Sequence, residues 1–241
     1  SKEQPWVNSA VNADGSLRDD YMSRLERILN RADELGMAVI LGIFYFGQEK
    51  VLRDETAIVQ AVDNTLDWLF ARDYRHVLIE INNESNVRYQ QPILKPERVH
   101  ELIRRVKDRV QGGRRFLVST SYGGGFVPLP NVVQSADFLL LHGNGVHEPD
   151  NITDMVRRTR QVAGYRPMPI LFNEDDHFDF DQPLNNMVAA VREFASWGYF
   201  DYRMEGEGFE QGYQSVPVDW GIRSERKRSF FNLLREITGG G

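Results

Sequence analysis

The chain has no cysteine. Disulfides and thiolate metal sites are therefore excluded, and the redox compartment is left open. It has no excess of positive charge: 29 Lys and Arg against 35 Asp and Glu give a net charge of −6, which argues against a nucleic-acid or anionic-membrane partner. It has no long apolar run. The longest are under ten residues, far short of the ~20 that a bilayer-spanning helix needs. Internal repeats, low-complexity tracts, linker-like stretches and a visible signal peptide are also missing. The chain starts at Ser1 rather than Met, so a processed, tagged or truncated N-terminus is expected. What is present is 241 residues, 41% hydrophobic and 27% charged. That length suits one large α/β domain or two small ones, and a single domain spanning 1–241 is expected, large enough to bury its core without staples.

Hydrophobic periodicity predicts helices over Asp19 to Leu35, Thr56 to Arg72, Pro96 to Val110, Ile152 to Ala163, Pro183 to Trp197 and Ser224 to Ile237. Short apolar runs predict strands over Met37 to Phe46, His76 to Glu84, Phe116 to Tyr122, Asp137 to His142, Met168 to Glu174 and Tyr199 to Glu205. Alternation of this kind implies parallel strands joined by crossovers. The glycine-containing turns do not read as a dinucleotide fingerprint. Gly206-Glu207-Gly208 carries acids that would repel phosphate, and Gly123-Gly124-Gly125 leads to prolines rather than a helix. A (β/α)8 barrel is the architecture expected.

Two strand ends stand out. Val77-Leu78-Ile79-Glu80-Ile81-Asn82-Asn83-Glu84 and Pro169-Ile170-Leu171-Phe172-Asn173-Glu174 are apolar runs that end in an Asn-Glu pair. Sites in α/β proteins form at the C-terminal ends of strands, and two facing carboxylates are what glycoside hydrolysis requires. The run Glu80-Ile81-Asn82-Asn83-Glu84 resembles the strand-four signature of clan A glycoside hydrolases, family 5 in particular. In that clan the Glu ending strand four is the general acid/base, and a Glu ending strand seven is the nucleophile. The resemblance implies a retaining β-glycosidase with Glu84 and Glu174 in those roles and Asn83 on the sugar 2-hydroxyl. It also implies that the chain supplies strands three to eight of a TIM barrel. Strands one and two would then come from a second chain or a further segment, with Trp6 close to the site. The sequence departs from the clan's pattern at Ser85 (usually proline), at Phe44-Tyr45 (usually a histidine in strand three) and at Met204-Glu205 (usually a tryptophan).

Around these carboxylates, Tyr45, His142, Tyr202, Glu205 and Trp6 are candidate substrate-binding residues, from aromatic faces and polar groups at strand ends. Asp175 and Asp176 rival Glu174 as nucleophile, Glu80 reads as a structural internal acid, and Trp68 and Trp197 read as core residues in helices. The Arg226-Lys227-Arg228 run reads as a solvated helix face. No metal is expected, because no His-x-His or His-Glu-x-x-His spacing is present, and no cofactor is expected. Two alternatives stand beside the glycosidase: a non-catalytic glycan-binding barrel, and a metal-dependent barrel hydrolase using His142, His177 and Asp175. The expected partner is a carbohydrate. The usual location of polysaccharides implies a secreted or periplasmic protein.

Overall fold

A computed structural model describes residues 9–202, 204–207, 222 and 224–239. The helices are α1 (Asp19–Glu34), α2 (Glu55–Ala71), α3 (Val99–Asp108), α4 (Pro130–Ser135), α5 (Pro149–Gln161), α6 (Asn186–Arg192) and α7 (Glu225–Thr238). The strands are β1 (Val39–Phe44), β2 (Val77–Asn82), β3 (Val118–Ser119), β4 (Leu139–His142), β5 (Ile170–Glu174) and β6 (Ser196–Trp197). None of these helices is long and apolar enough to cross a membrane.

The strands form two three-stranded sheets with the orders β1-β2-β3 and β4-β5-β6. Pairing is parallel between β1 and β2, β2 and β3, and β5 and β6. Among the described residues there are six strands and no closed barrel, which overturns the expectation of a (β/α)8 TIM barrel. The arrangement is an α/β one of parallel strands alternating with helices, Rossmann-like in kind. The physical reason lies in the outer strands. β3 meets β2 at two positions only, Ile79 opposite Val118 and Glu80 opposite Ser119. β6 is equally short. Beyond β3, the Asp137 N–H donates to the Val118 carbonyl at 3.0 Å, a single bond in place of a ladder. Alternation of strands and helices is common to open sheets and barrels, so the pattern could not separate them.

The chain divides into two compact units: residues 1–123, 128–139 and 163–168 in one, and 124–127, 140–162 and 169–241 in the other. In the first, β2 carries fully buried Ile79 and Ile81, each worth about 1.5–3 kcal/mol of transfer free energy. Helix α2 packs Ile58, Ala61, Val62, Leu66 and Leu69 inward, and its first turn is capped by the Asp54 carboxylate, which accepts from the Ala57 N–H at 2.8 Å. The turn before α1 comes so close to α2 that only glycine fits. Gly15 has φ +86°, and a Cβ there would overlap the Ala57 carbonyl. Helices α2 and α3 are also joined at the surface. Arg98 reaches Glu55 at 2.8 Å and Arg105 reaches Asp63 at 2.6 Å, while Arg109 pairs with Asp67.

In the second unit, Leu140 and Leu141 of β4 and Phe172 of β5 are fully enclosed. Helix α6 is shorter than predicted. It stops at Arg192, and Phe194 takes a left-handed backbone at φ +56°. The chain then re-enters the sheet as β6 at Ser196–Trp197, so Trp197 lies in a strand and not in a helix. Among the described residues of Tyr199 to Glu205, where the sequence predicts a strand, none is in a strand. The Arg226-Lys227 pair is not a solvated face: Arg226 donates to the fully buried Asp201 at 2.7 Å and to Glu207, and Lys227 is 5% exposed.

Candidate functional site

In the first unit the residues at issue lie at the C-terminal end of β2, the middle strand of its sheet. Asn82 is structural. It is fully buried, its amide donates to the Leu94 carbonyl at 2.9 Å, and its side-chain oxygen accepts from the Thr120 hydroxyl at 2.8 Å. Asn83 is anchored through its backbone, donating to the Phe44 carbonyl at 3.1 Å and accepting from the Tyr89 hydroxyl at 2.7 Å. Burial pushes the Tyr89 hydroxyl well above its ordinary range, so it stays a donor. Glu84 then takes φ +50°, a conformation that L residues adopt at a cost of about 1–2 kcal/mol.

That turn is fixed to the segment after β3. The Glu84 N–H donates to the Ser121 hydroxyl at 2.9 Å, the Ser85 N–H to the Ser121 carbonyl at 2.9 Å, and the Gly123 N–H to Asn86 Oδ1 at 2.8 Å. A Cβ on Gly123 would stand 3.7 Å from Glu84 Oε1, so the carboxyl lies over that glycine. Asn83 and Tyr45 line one cleft of ≈ 330 Å³ with Gln48 and the buried Glu80. Tyr45 packs on Phe46 with ring centres 4.3 Å apart and planes inclined at 32°, and is 47% exposed.

In the second unit Glu174 is the last residue of β5, again the middle strand of its sheet. Its backbone carbonyl accepts from the Gly143 N–H at 2.8 Å. Its carboxylate accepts from the Asn144 amide at 3.0 Å, and the fully buried His142 at the end of β4 places Nδ1 3.7 Å away. The structure therefore brings His142 and Glu174 together and adds Asn144, which the sequence did not flag.

The two neighbouring acids have other tasks. Asp175 is fully buried and takes bonds from four protein groups. These are the His177 N–H at 3.1 Å, His177 Nδ1–H at 2.8 Å, the Asn186 amide at 3.0 Å and Trp197 Nε1–H at 2.9 Å. A carboxylate so engaged is neither a free nucleophile nor a metal ligand. Asp176 accepts from the Gly145 N–H at 3.0 Å. Asp175, Asp176 and His177 cluster closely enough for their ligand atoms to lie within 4.8 Å of one another, but the saturation of Asp175 removes it from such a set. The hydrogen bond to Asp175 holds the His177 imidazole above its usual range, against the opposing effect of burial.

The remaining expected residues are dispersed. Tyr202 packs in an aromatic group, 5.7 Å from Phe178 and 5.9 Å from Phe200, and its carbonyl accepts from Arg226 at 3.1 Å. Glu205 is exposed in the turn that Gly206 makes at φ +83°. Trp6 lies outside the described residues.

No protein-family model matches the chain, and no curated protein matches it. Among solved structures it is similar to the Bacillus cereus spore cortex-lytic enzyme SleL, with 17% identity and a TM-score of 0.46. The match covers 68% of this chain and 41% of that one, so the chain spans about two-fifths of that enzyme's length. A likeness at this level assigns neither fold nor activity. The resemblance to family 5 rests on the two strand ends alone.

Proposed function

We propose that the chain is a carbohydrate-acting hydrolase that cleaves β-linked glycosides with Glu174 as nucleophile and Glu84 as general acid/base. The observation that carries this reading is a repeated placement. Each Glu follows an Asn at the C-terminal end of the middle strand of a three-stranded parallel sheet, where α/β proteins assemble their sites. Glu174 is steadied by Asn144, with His142 beside it, as a nucleophile must be aimed before it attacks. Glu84 sits on strained backbone fixed by Ser121, and such strain collects at functional positions.

In the proposed reaction Glu174 attacks the anomeric carbon while Glu84 protonates the departing oxygen. Water, deprotonated by Glu84, then releases the sugar from Glu174 with retained configuration. Asn83 would contact the 2-hydroxyl and Tyr45 a sugar face, both from the 330 Å³ cleft. The test is mass spectrometry after incubation with a panel of 2-deoxy-2-fluoro glycosides, which trap a glycosyl-enzyme. The expected result is one added sugar, mapped to Glu174 and absent in Glu174→Gln. If no sugar labels the folded chain while glycans still bind it, the protein is a glycan-binding module and the catalytic reading fails.

A further inference from the structure

The loops that follow β4 (residues 143–148) and β5 (residues 175–185) each present a histidine, and neither His147 nor His177 has a part in the proposed reaction. His177 is fixed. Its Nδ1–H is committed to the buried Asp175 at 2.8 Å, so in the neutral ring Nε2 carries the lone pair. That Nε2 lies 3.4 Å from Nδ1 of His147. The separation is long for a hydrogen bond, whose N–H donors usually come within ~3.2 Å of the acceptor. It suits two nitrogens sharing a tetrahedral ion: ligands about 2.05 Å from such an ion stand about 3.3–3.4 Å apart.

The ring positions make the same distinction. A collinear hydrogen bond of this length would set the ring centres about 5.7 Å apart, taking each nitrogen about 1.15 Å from its own centre. Two imidazoles radiating from one tetrahedral centre would have centres about 5.2 Å apart. The observed separation is 5.3 Å, with the planes inclined at 70°. The carboxylate behind His177 completes the pattern, since metal-binding histidines commonly donate their second N–H to such a group, which sets tautomer and ring orientation.

We propose that His147 Nδ1 and His177 Nε2 form a two-imidazole site for a late first-row divalent ion of the zinc type. Neutral imidazole pairs suit zinc, cobalt, nickel and copper, and not calcium or magnesium. Water fills the remaining positions, and the side of His147 opens on a cleft of ≈ 480 Å³ with Glu148 and Asn151 on its wall. An ion there joins the loop that carries Asn144 to the loop that begins at Asp175, directly after Glu174. Its effect is a clasp that restrains those loops.

The test uses the full chain, freed of metal by chelation and dialysed, at about pH 8, where protons compete least for imidazole. Zn²⁺ is titrated calorimetrically and Co²⁺ is followed by its visible spectrum. The expected result is saturable binding of one ion, at least tenfold weaker in His147→Ala and unchanged in His100→Ala, whose ring instead meets Asn131. Zn²⁺ should raise the melting temperature of the wild type and leave that of His147→Ala unmoved. His147 is exposed, so its replacement should fold, and circular dichroism checks that. Absence of one-to-one binding, or equal affinity in His147→Ala, overturns the proposal. Neither result bears on Glu84 or Glu174.

Discussion

Replacing Asp175 by Asn should cost the second unit far more than an isosteric change ordinarily does. The carboxylate is fully buried and ties β5 to α6 through Asn186, to β6 through Trp197 and to its own loop through His177. An amide of the same shape exchanges one acceptor oxygen for an NH2 group. Whichever way it turns, two N–H groups then face a donor: those of His177, or those of Asn186 and Trp197. A buried N–H left unmatched costs about 1–3 kcal/mol, so Asp175→Asn should lose about 2–6 kcal/mol. Urea denaturation followed by tryptophan fluorescence reads this as a lower midpoint at unchanged slope. The double mutant with Trp197→Phe is the sharper check. Removing the Trp197 N–H takes away a bond in the wild type but relieves a conflict in Asp175→Asn, so the two changes should couple by about 1 kcal/mol or more. A loss below about 1 kcal/mol for Asp175→Asn, or additive costs in the double mutant, would refute the view of Asp175 as the carboxylate that organises this unit.

Further outcomes follow from other positions. Glu84→Gly and Glu84→Ala should both abolish glycoside turnover, but Gly should be the more stable by about 0.5–1 kcal/mol, the left-handed penalty less glycine's entropy; equal midpoints would remove the strain at φ +50° from the argument. Burial pushes the Asp137 carboxyl up, but the Arg115 pair, the Val118 N–H and Lys107 outweigh that and hold it below its ordinary value. Its folded-state pKa is thus depressed, so its stabilisation is complete at neutral pH and lost on acidification below about pH 4. Asp137→Asn should therefore lose roughly 1.5–3 kcal/mol at neutral pH, and denaturation midpoints of mutant and wild type measured down the pH scale should converge in acid. Gly143→Ala would drive a Cβ into the Asp175 carboxylate, whose four donors leave it no room to yield. About 1–3 kcal/mol of destabilisation is expected, visible as a lowered melting temperature.

Most elements were legible because apolar residues recur at the spacing of a helix face or fill a short buried strand. α1, α2, β1, β2, β4, β5 and α7 lie within a few residues of the predicted spans. β6 was not legible: two residues of strand leave no period to detect, and Trp197 reads equally as the end of a helix. α4 was missed for a similar reason, being a six-residue helix opened by Pro130. Closure was illegible in principle, since strand and helix alternate in open sheets and barrels alike. At the site, both Asn-Glu strand ends could be found because polar residues interrupt an apolar run. The engagement of Asp175 could not, because its partners come from positions 2, 11 and 22 residues away. The same holds for Arg226, which looked solvated until Asp201, 25 residues earlier, was brought beneath it.

In the three ion pairs that join α2 to α3, the acid belongs to α2 and the arginine to α3 or its flanking residues, and Arg98 is shared with Glu101 of α3 itself. The partners are separated by 43, 42 and 42 residues, and Asp63 and Asp67 are spaced like Arg105 and Arg109. A slide of one helical turn would therefore match Arg105 to Asp67 and keep part of the ladder. The charges specify which helices adjoin and with what polarity, but they are indifferent to a one-turn slip. That choice falls to the interior, where Val62, Leu66, Leu102 and Val106 are fully buried and close packing resists a shift. Concentrated salt should accordingly loosen this joint, each exposed pair being worth ~1 kcal/mol or less, and leave the alignment of the helices where it was.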